Sequence, residues 1–315
     1  MTFYVIRRFI EAIPTALLVA IIAFLIIHLA PGDPASFFVG PEATEAEVDR
    51  VRERMGLDRP LPVQFTEWLG GVFRGDLGNS IFVGGEPVFD LFVYRMTNSL
   101  WLIIIAMIIS LAIGLTVGIT TAVLQNTWID KILTIFVFFG VTMPSFWLGL
   151  ILIYFFAVNL GLLPSGGFVS PLEDFRAAIP YLILPGMALG YRRAALIARM
   201  TRTAMLETLR QDYIRTARAK GLEEKNIIIR HALKNAMAPI LTVIGITMVS
   251  LLGGTIVTEV VFNYPGYGRL IVDSVLRRDF PVLQGSLLMI GMIVVFINLL
   301  VDLSYALVDP RIKYN

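Results

Sequence analysis

Few side chains in this 315-residue chain are suited to bond-making chemistry, and those few are scattered. There is no cysteine, which rules out a disulfide framework, a Cys-ligated zinc and a thiolate nucleophile. The two histidines, His28 and His231, lie too far apart to announce a metal cluster, so no metal ligands are assigned. No glycine opens a GxxxxGK[ST] phosphate loop, so nucleotide chemistry is not encoded here. Charge remains, and it is concentrated. Arg192 and Arg193 interrupt an apolar run in LGYRRAALIARM, and Arg199, Arg202, Arg210, Arg215, Arg218, Lys220, Lys225, Arg230 and Lys234 follow between positions 199 and 234. An arginine near the middle of a bilayer costs about 3 kcal/mol or more, so it normally faces a water-filled cavity or a partner. Adjacent helical residues point about 100° apart, so only one of Arg192 and Arg193 would line such a cavity. The alternative is that both are basic anchors reaching to an interface.

The elements that hold these residues must be membrane helices. The chain is 57% hydrophobic and 16% charged, with a mean hydropathy of +0.77, too apolar for a soluble domain of this length. A net charge of +2 also removes the basic excess that a nucleic-acid binder needs. About 20 residues span the hydrocarbon core as a helix. Runs of that order occur at 9–30, 99–124, 132–158, 178–199, 236–260 and 282–305, which predicts an all-α polytopic protein with six transmembrane helices in the lipid bilayer. The first run follows Arg7 and Arg8 but is longer than a signal-peptide core and contains Glu11 and Pro14, so it is read as a retained helix. Pro144 is expected to kink the third. His28 is read as an interfacial side chain closing the first helix, and Asn298 and Asp302 as polar groups sharing one face of the last.

Basic residues near span ends mark the cytoplasmic side. Arg7 and Arg8, Lys131, the 199–234 run, and Arg311 with Lys313 all fall on one side, which places both termini in the cytoplasm. Residues 31–97 then form an extracytoplasmic segment between the first two helices, a small subdomain acting as a lid on the bundle or as a partner contact. Thr44 and Glu47 are spaced as a capping box that would start a helix there. The resulting divisions are 1–30, 31–97, a five-helix core at 98–305 with the basic connection 200–235, and a tail at 306–315.

That connection is more than a solvated charge run. Ala204, Met205 and Leu209, then Ile214, Ala217 and Ala219, follow helical spacing; Gly221 supplies a stop, and Glu223 opens a second amphipathic stretch through Ile227, Ile228 and Leu233. Small residues Thr216, Ala217 and Ala219 would allow close approach of a partner, with Arg215, Arg218 and Lys220 supplying complementary charge. The run from Arg215 through Gly221 to Leu222 resembles the EAA-type loop of bacterial ABC importer permeases, and Asp212 to Leu222, DYIRTARAKGL, is similar to the form in the dipeptide and oligopeptide permease family. Arg215 stands where the general motif has glutamate and Lys234 where it ends in proline, as in the peptide branch. HLAPGDP, GDLGNS, MPSFWLG, ARMTRTAMLE, TEVVFNYPGYGRL, RRDFP and NLLVDLSYALVDPRI extend the resemblance over nearly the whole chain.

The resemblance implies a type I ABC importer permease fold and a division of labour. A second, similar permease subunit, two cytoplasmic ATP-binding subunits and an extracytoplasmic substrate-binding protein would complete the assembly. ATP and Mg would be bound by the ATPase subunits, with no cofactor in this chain. Arg215, Thr216, Ala217, Arg218, Ala219, Lys220, Gly221 and Leu222 would form the ATPase-coupling segment. Arg192 or Arg193 would line the pathway, and Tyr264, Tyr267 and Arg269 would contact the binding protein. Di- or oligopeptides are the expected cargo, with nickel chelates, glutathione or another small solute as alternatives. An integral-membrane enzyme would need paired ionisable groups at depth, and an ion-coupled secondary transporter an internal repeat with broken helices; neither pattern is found in the sequence. Location in a bacterial or archaeal cytoplasmic membrane follows from the same resemblance.

Overall fold

A computed structural model describes residues 2–29, 34–39, 44–54 and 56–308. The described chain is helical, with a single isolated bridge, Asn79 to Pro87, in place of any sheet. In order it contains α1 (Thr2–Leu29), α2 (Pro34–Val39), α3 (Glu45–Arg54), α4 (Leu61–Phe73), α5 (Val88–Val123), α6 (Trp128–Thr142), α7 (Ser145–Leu152) running into a π-helical turn (Ile153–Asn159), α8 (Phe175–Leu209), α9 (Asp212–Ala219), α10 (Glu224–Asn226) with a second π segment (Ile227–Leu233), α11 (Lys234–Val261), α12 (Tyr267–Arg277) and α13 (Phe280–Val308).

Helix covers the described residues of all six expected spans, except at Leu124 closing the second and at Met143 and Pro144 in the third, and the all-α polytopic class is confirmed. Among the described residues, 7–29, 88–123, 224–261 and 280–300 are each long and apolar enough to cross a membrane, and α6 with α7 makes a fifth if the pair is one span. The helix α8 falls short of that measure because its arginines sit inside the expected span. Three departures from the sequence reading have local causes. At Val88, α5 begins eleven residues early, and its 36 residues extend about 54 Å at 1.5 Å each. The third span is broken: Met143, held extended before Pro144, ends α6, and α7 leaves at 111°. The second amphipathic stretch does not stop before the fifth span, because the π segment carries it into α11. A further helix, α12, lies in the connection between the fifth and sixth spans.

The described chain divides into two compact units, with boundaries at Thr97/Asn98, Pro265/Gly266 and Leu303/Ser304. In the first, Ala20, Ala23, Leu77, Val88, Leu91, Leu270, Val282 and Leu288 form the core. The buried Asp279 carboxylate accepts the Ser80 hydroxyl at 2.6 Å and, less closely, the Ile81, Phe82 and Val282 amides, so the turn after GDLGNS is tied to the start of α13. His28 closes α1 as expected, with Nε2 3.0 Å from Gln64 Oε1 on α4. The Glu47 carboxylate accepts both the amide and the hydroxyl of Thr44 at the start of α3, and those bonds hold it below the ordinary carboxylate value. The stretch 30–33 of HLAPGDP and the last residues of the terminal motif, 309–312, lie outside the described residues.

In the second unit α5 and α8 run side by side through small residues. Ala106, Ser110, Gly114 and Gly118 recur every fourth position, as do Gly186, Gly190, Ala194 and Ala198. The Ser110 hydroxyl donates to Gly190 O at 2.8 Å, and a Cβ at Gly190 would lie 2.6 Å from Ala106 O. At Gly118 a Cβ would meet Thr201 Cβ at 2.6 Å. Without a strong hydrophobic force between helices in lipid, such backbone approach supplies the packing and interhelical hydrogen bonding. Gly190→Ala is therefore expected to force the helices apart and destabilise the unit by about 1–3 kcal/mol. Gly253→Ala on α11, where a Cβ meets nothing within 4 Å, should be neutral or mildly stabilising. Thermal unfolding of the purified protein in detergent compares them, and equal midpoints would refute the packing account.

Candidate coupling and pathway sites

The expected coupling segment is the eight-residue helix α9 and the turn after it. Ile214 and Ala217 share the apolar face of α9 and pack into a cluster with Ala122, Ala204, Met205, Ile227, Ala232, Ala236 and Ile240. The helix ends on Gly221 at φ +75, which favours glycine. Leu222 N–H donates to Ala217 O and Gly221 N–H to Arg218 O, the paired bonds of a Schellman ending. Nothing lies within 4 Å of where a Gly221 Cβ would be, so the turn projects freely. Arg215, Thr216, Arg218, Ala219, Lys220, Gly221 and Leu222 are exposed. Ala217 is not: at 6% exposure it faces this chain's own core, which corrects its expected place at a partner-facing surface.

Charge at the tip is partly spoken for. Arg218 is forked onto Glu224 at 2.6 and 3.2 Å across the turn, an interaction that raises the arginine's pKa further, and Arg215 stands 3.5 Å from Asp212. Exposed pairs of this kind contribute about 0–1 kcal/mol, so exchanging them for a partner's carboxylates costs little. The Tyr213 hydroxyl accepts from Asn235 at 3.1 Å, which ties α9 to the start of α11.

Arg192 and Arg193 are separated by their positions on α8, as the 100° offset requires. Arg193 is half-buried and donates from Nη2 to Ser250 O on α11 at 2.8 Å, with Gly254 leaving room for its guanidinium. Arg192 is exposed and has no hydrogen-bond or ion-pair partner among the described residues. At the other end of this unit Glu259, fully buried, accepts the Ser99 hydroxyl at 2.7 Å, and the Tyr264 hydroxyl donates to Asn98 O at 2.8 Å. Burial and the nearby Glu259 carboxylate push the Tyr264 phenol up. Tyr264 and, in the first unit, Tyr267 beside Phe92 are buried at 0% and 1% exposure, so neither side chain offers a surface contact. That corrects the expectation for both: the aromatic bodies are core. Arg269 remains partly exposed beside Asp273.

The model of the family described as binding-protein-dependent transport system inner membrane component matches residues 114–314, and the model of its N-terminal part matches residues 1–116. The chain belongs to this family. A probable peptide ABC transporter permease protein, y4tP, of Sinorhizobium fredii is 45% identical over 99% of both chains. The glutathione transport system permease proteins GsiC of Salmonella choleraesuis and of Escherichia coli K12 are 43% and 42% identical over the same shares. Among solved structures, the MetNI methionine ABC transporter aligns with a TM-score of 0.58 at 22% identity, over 70% of this chain and 96% of that one. An amino acid ABC transporter crystallised with histidines aligns at 0.53 and 16%, over 69% and 94%. These two fix the fold, that of ABC importer permeases.

Two features of this inner-membrane component escaped the sequence reading. The four-residue repeats of Ala, Ser and Gly that seat α5 on α8 were legible as small-xxx-small patterns in consecutive apolar runs. Asp130 was a lone acid beside Trp128 and Lys131, and nothing local announces its partner, Arg202, seventy-two positions away at 2.7 Å.

Proposed function

We propose that this chain is the transmembrane subunit of an ABC importer for di- or oligopeptides, forming one half of the pathway and passing ATP-driven motion to it through the turn at Gly221. The observation that carries this reading is the shape of that turn. A freely projecting, glycine-ended knob sits on an apolar core shared by α5, α8, α9 and α11, so a displacement of the knob moves the bundle. Two cytoplasmic ATPase subunits would receive this knob and its counterpart on a second, similar permease, and would hold the ATP and Mg. This chain contributes no catalytic step. Both termini lie in the cytoplasm of a bacterial or archaeal cell, residues 31–97 are extracytoplasmic, 98–305 form the permease core and 306–315 a cytoplasmic tail. On the outer side the binding protein delivers cargo, with Arg269 the remaining contact of the three first considered.

Peptide cargo is supported by the relatives named for peptide and for glutathione, itself a tripeptide with free carboxylates. An exposed Arg192, without a hydrogen-bond or ion-pair partner among the described residues, suits a carboxylate in passage. The test is uptake into proteoliposomes holding the whole complex, with its binding protein, supplied with ATP and either labelled trialanine, labelled glutathione or a nickel chelate. ATP-dependent accumulation of trialanine is expected. Accumulation of glutathione or nickel alone would replace the substrate, and no ATP dependence with any of them would remove the importer reading.

A further inference from the structure

We propose that Asp130 and Arg202 form a clamp that makes α6 follow α8 during the transport cycle, a positioning pair for transport. Asp130 lies in the first turn of α6, its side chain 7% exposed, and Arg202 Nη2 donates to its Oδ2 at 2.7 Å. The same carboxylate accepts the Asn126 amide at 3.0 Å and the Thr134 hydroxyl at 3.2 Å, while Thr127 caps the helix by accepting the Asp130 amide. Its oxygens are thus held by the turn before α6, by α6 itself and by α8. A charge so placed cannot slide, because each small shift breaks a charge-assisted bond inside a poorly solvated site.

The location gives the pair its role. Arg202 is within one turn of Ala204 and Met205, which hold Ile214 and Ala217 of the coupling helix. Farther along, α6 is joined to α8 by the Tyr191 hydroxyl on Phe136 O at 2.5 Å and by Gly140 against Ala195. Beyond them α6 reaches the 111° break before α7. A displacement entering at α9 therefore passes into α8 at Met205 and crosses to α6 at the nearest directional contact, the ion pair. Apolar neighbours at that level can slip past one another; a three-point carboxylate keeps register. This inference rests on the coupling reading above.

The experiment uses the complete complex in proteoliposomes, comparing wild type with Asp130→Asn, Arg202→Gln and Arg202→Lys for trialanine uptake and ATP hydrolysis. Wild type must first couple the two; if it does not, the importer reading fails and not the clamp. Asp130→Asn and Arg202→Gln are expected to lower peptide transported per ATP by about tenfold or more, with the KM for uptake unchanged, and Arg202→Lys to retain most of the ratio. The chain has no native cysteine, so Gly140→Cys with Ala195→Cys gives a clean crosslink between α6 and α8. Oxidising that pair in the Arg202→Gln background should restore coupling. Unchanged ratios in both charge-removing variants, or no rescue by the crosslink, would overturn the proposal. So would failure of Asp130→Asn and Arg202→Gln to assemble, with the crosslinked Arg202→Gln chain failing too, because the pair would then be a folding contact only.

Discussion

Ala217→Asp is expected to abolish ATP-driven uptake while leaving the chain in the membrane, and the cause would lie inside this subunit. The Ala217 methyl is enclosed with Ile214, Met205 and Ile227, and only Ile214 and Ala217 bury the eight-residue α9. An aspartate there places an uncompensated carboxylate in the core, a cost of about 3–5 kcal/mol. At 1.4 kcal/mol for each tenfold, the equilibrium constant for docking the helix would fall by about two orders of magnitude or more. Amide exchange across α9 should then rise sharply. Leu222→Asp changes an exposed side chain, so α9 should stay docked and protected while uptake still falls through the ATPase contact. Gly221 separates backbone from surface: asparagine tolerates its left-handed φ, whereas valine would be strained by about 1–2 kcal/mol or more. Normal uptake by Ala217→Asp, or equal exchange in Ala217→Asp and Leu222→Asp, would show that α9 is not held as described.

The second large effect divides the paired arginines. Arg193→Gln removes a charged donor from Ser250 O, and hydrogen bonds of that class are worth about 1.5–3 kcal/mol, so the α8–α11 contact and the yield of assembled complex should decline together. Arg192→Gln alters an exposed cation with no partner among the described residues, so assembly should be unchanged while uptake of a carboxylate-bearing peptide falls by about tenfold, with recovery in Arg192→Lys. Uptake of a carboxyl-amidated peptide should be much less sensitive. Melting curves and uptake on the same preparations decide the matter. If Arg192→Gln transports normally, its pathway role is wrong; if Arg193→Gln melts like wild type, the Ser250 contact is not a structural tie.

Apolar run length was enough to place a helix over every expected span, because a bilayer satisfies no backbone group and a helix satisfies its own. Thr44 with Glu47 and the stop at Gly221 were likewise legible, since capping bonds join residues three to five apart. The four-residue repeats at Ala106–Gly118 and Gly186–Ala198 were present in the sequence too, although what they face was not. Tertiary structure decided which face of each helix is covered. Spacing put Ala217 beside Ile214 but not against Met205; it offset Arg192 from Arg193 but could not say which reaches Ser250. Their place in an outer connection between spans made Tyr264 and Tyr267 look like contact residues, and only long-range packing buried them. Pro144 predicted an interruption, whereas its 111° angle depends on what α6 and α7 pack against. Local periodicity determines which residues share a direction; whether water, lipid or protein lies in that direction depends on segments far away in sequence, as with Asp130 and Arg202.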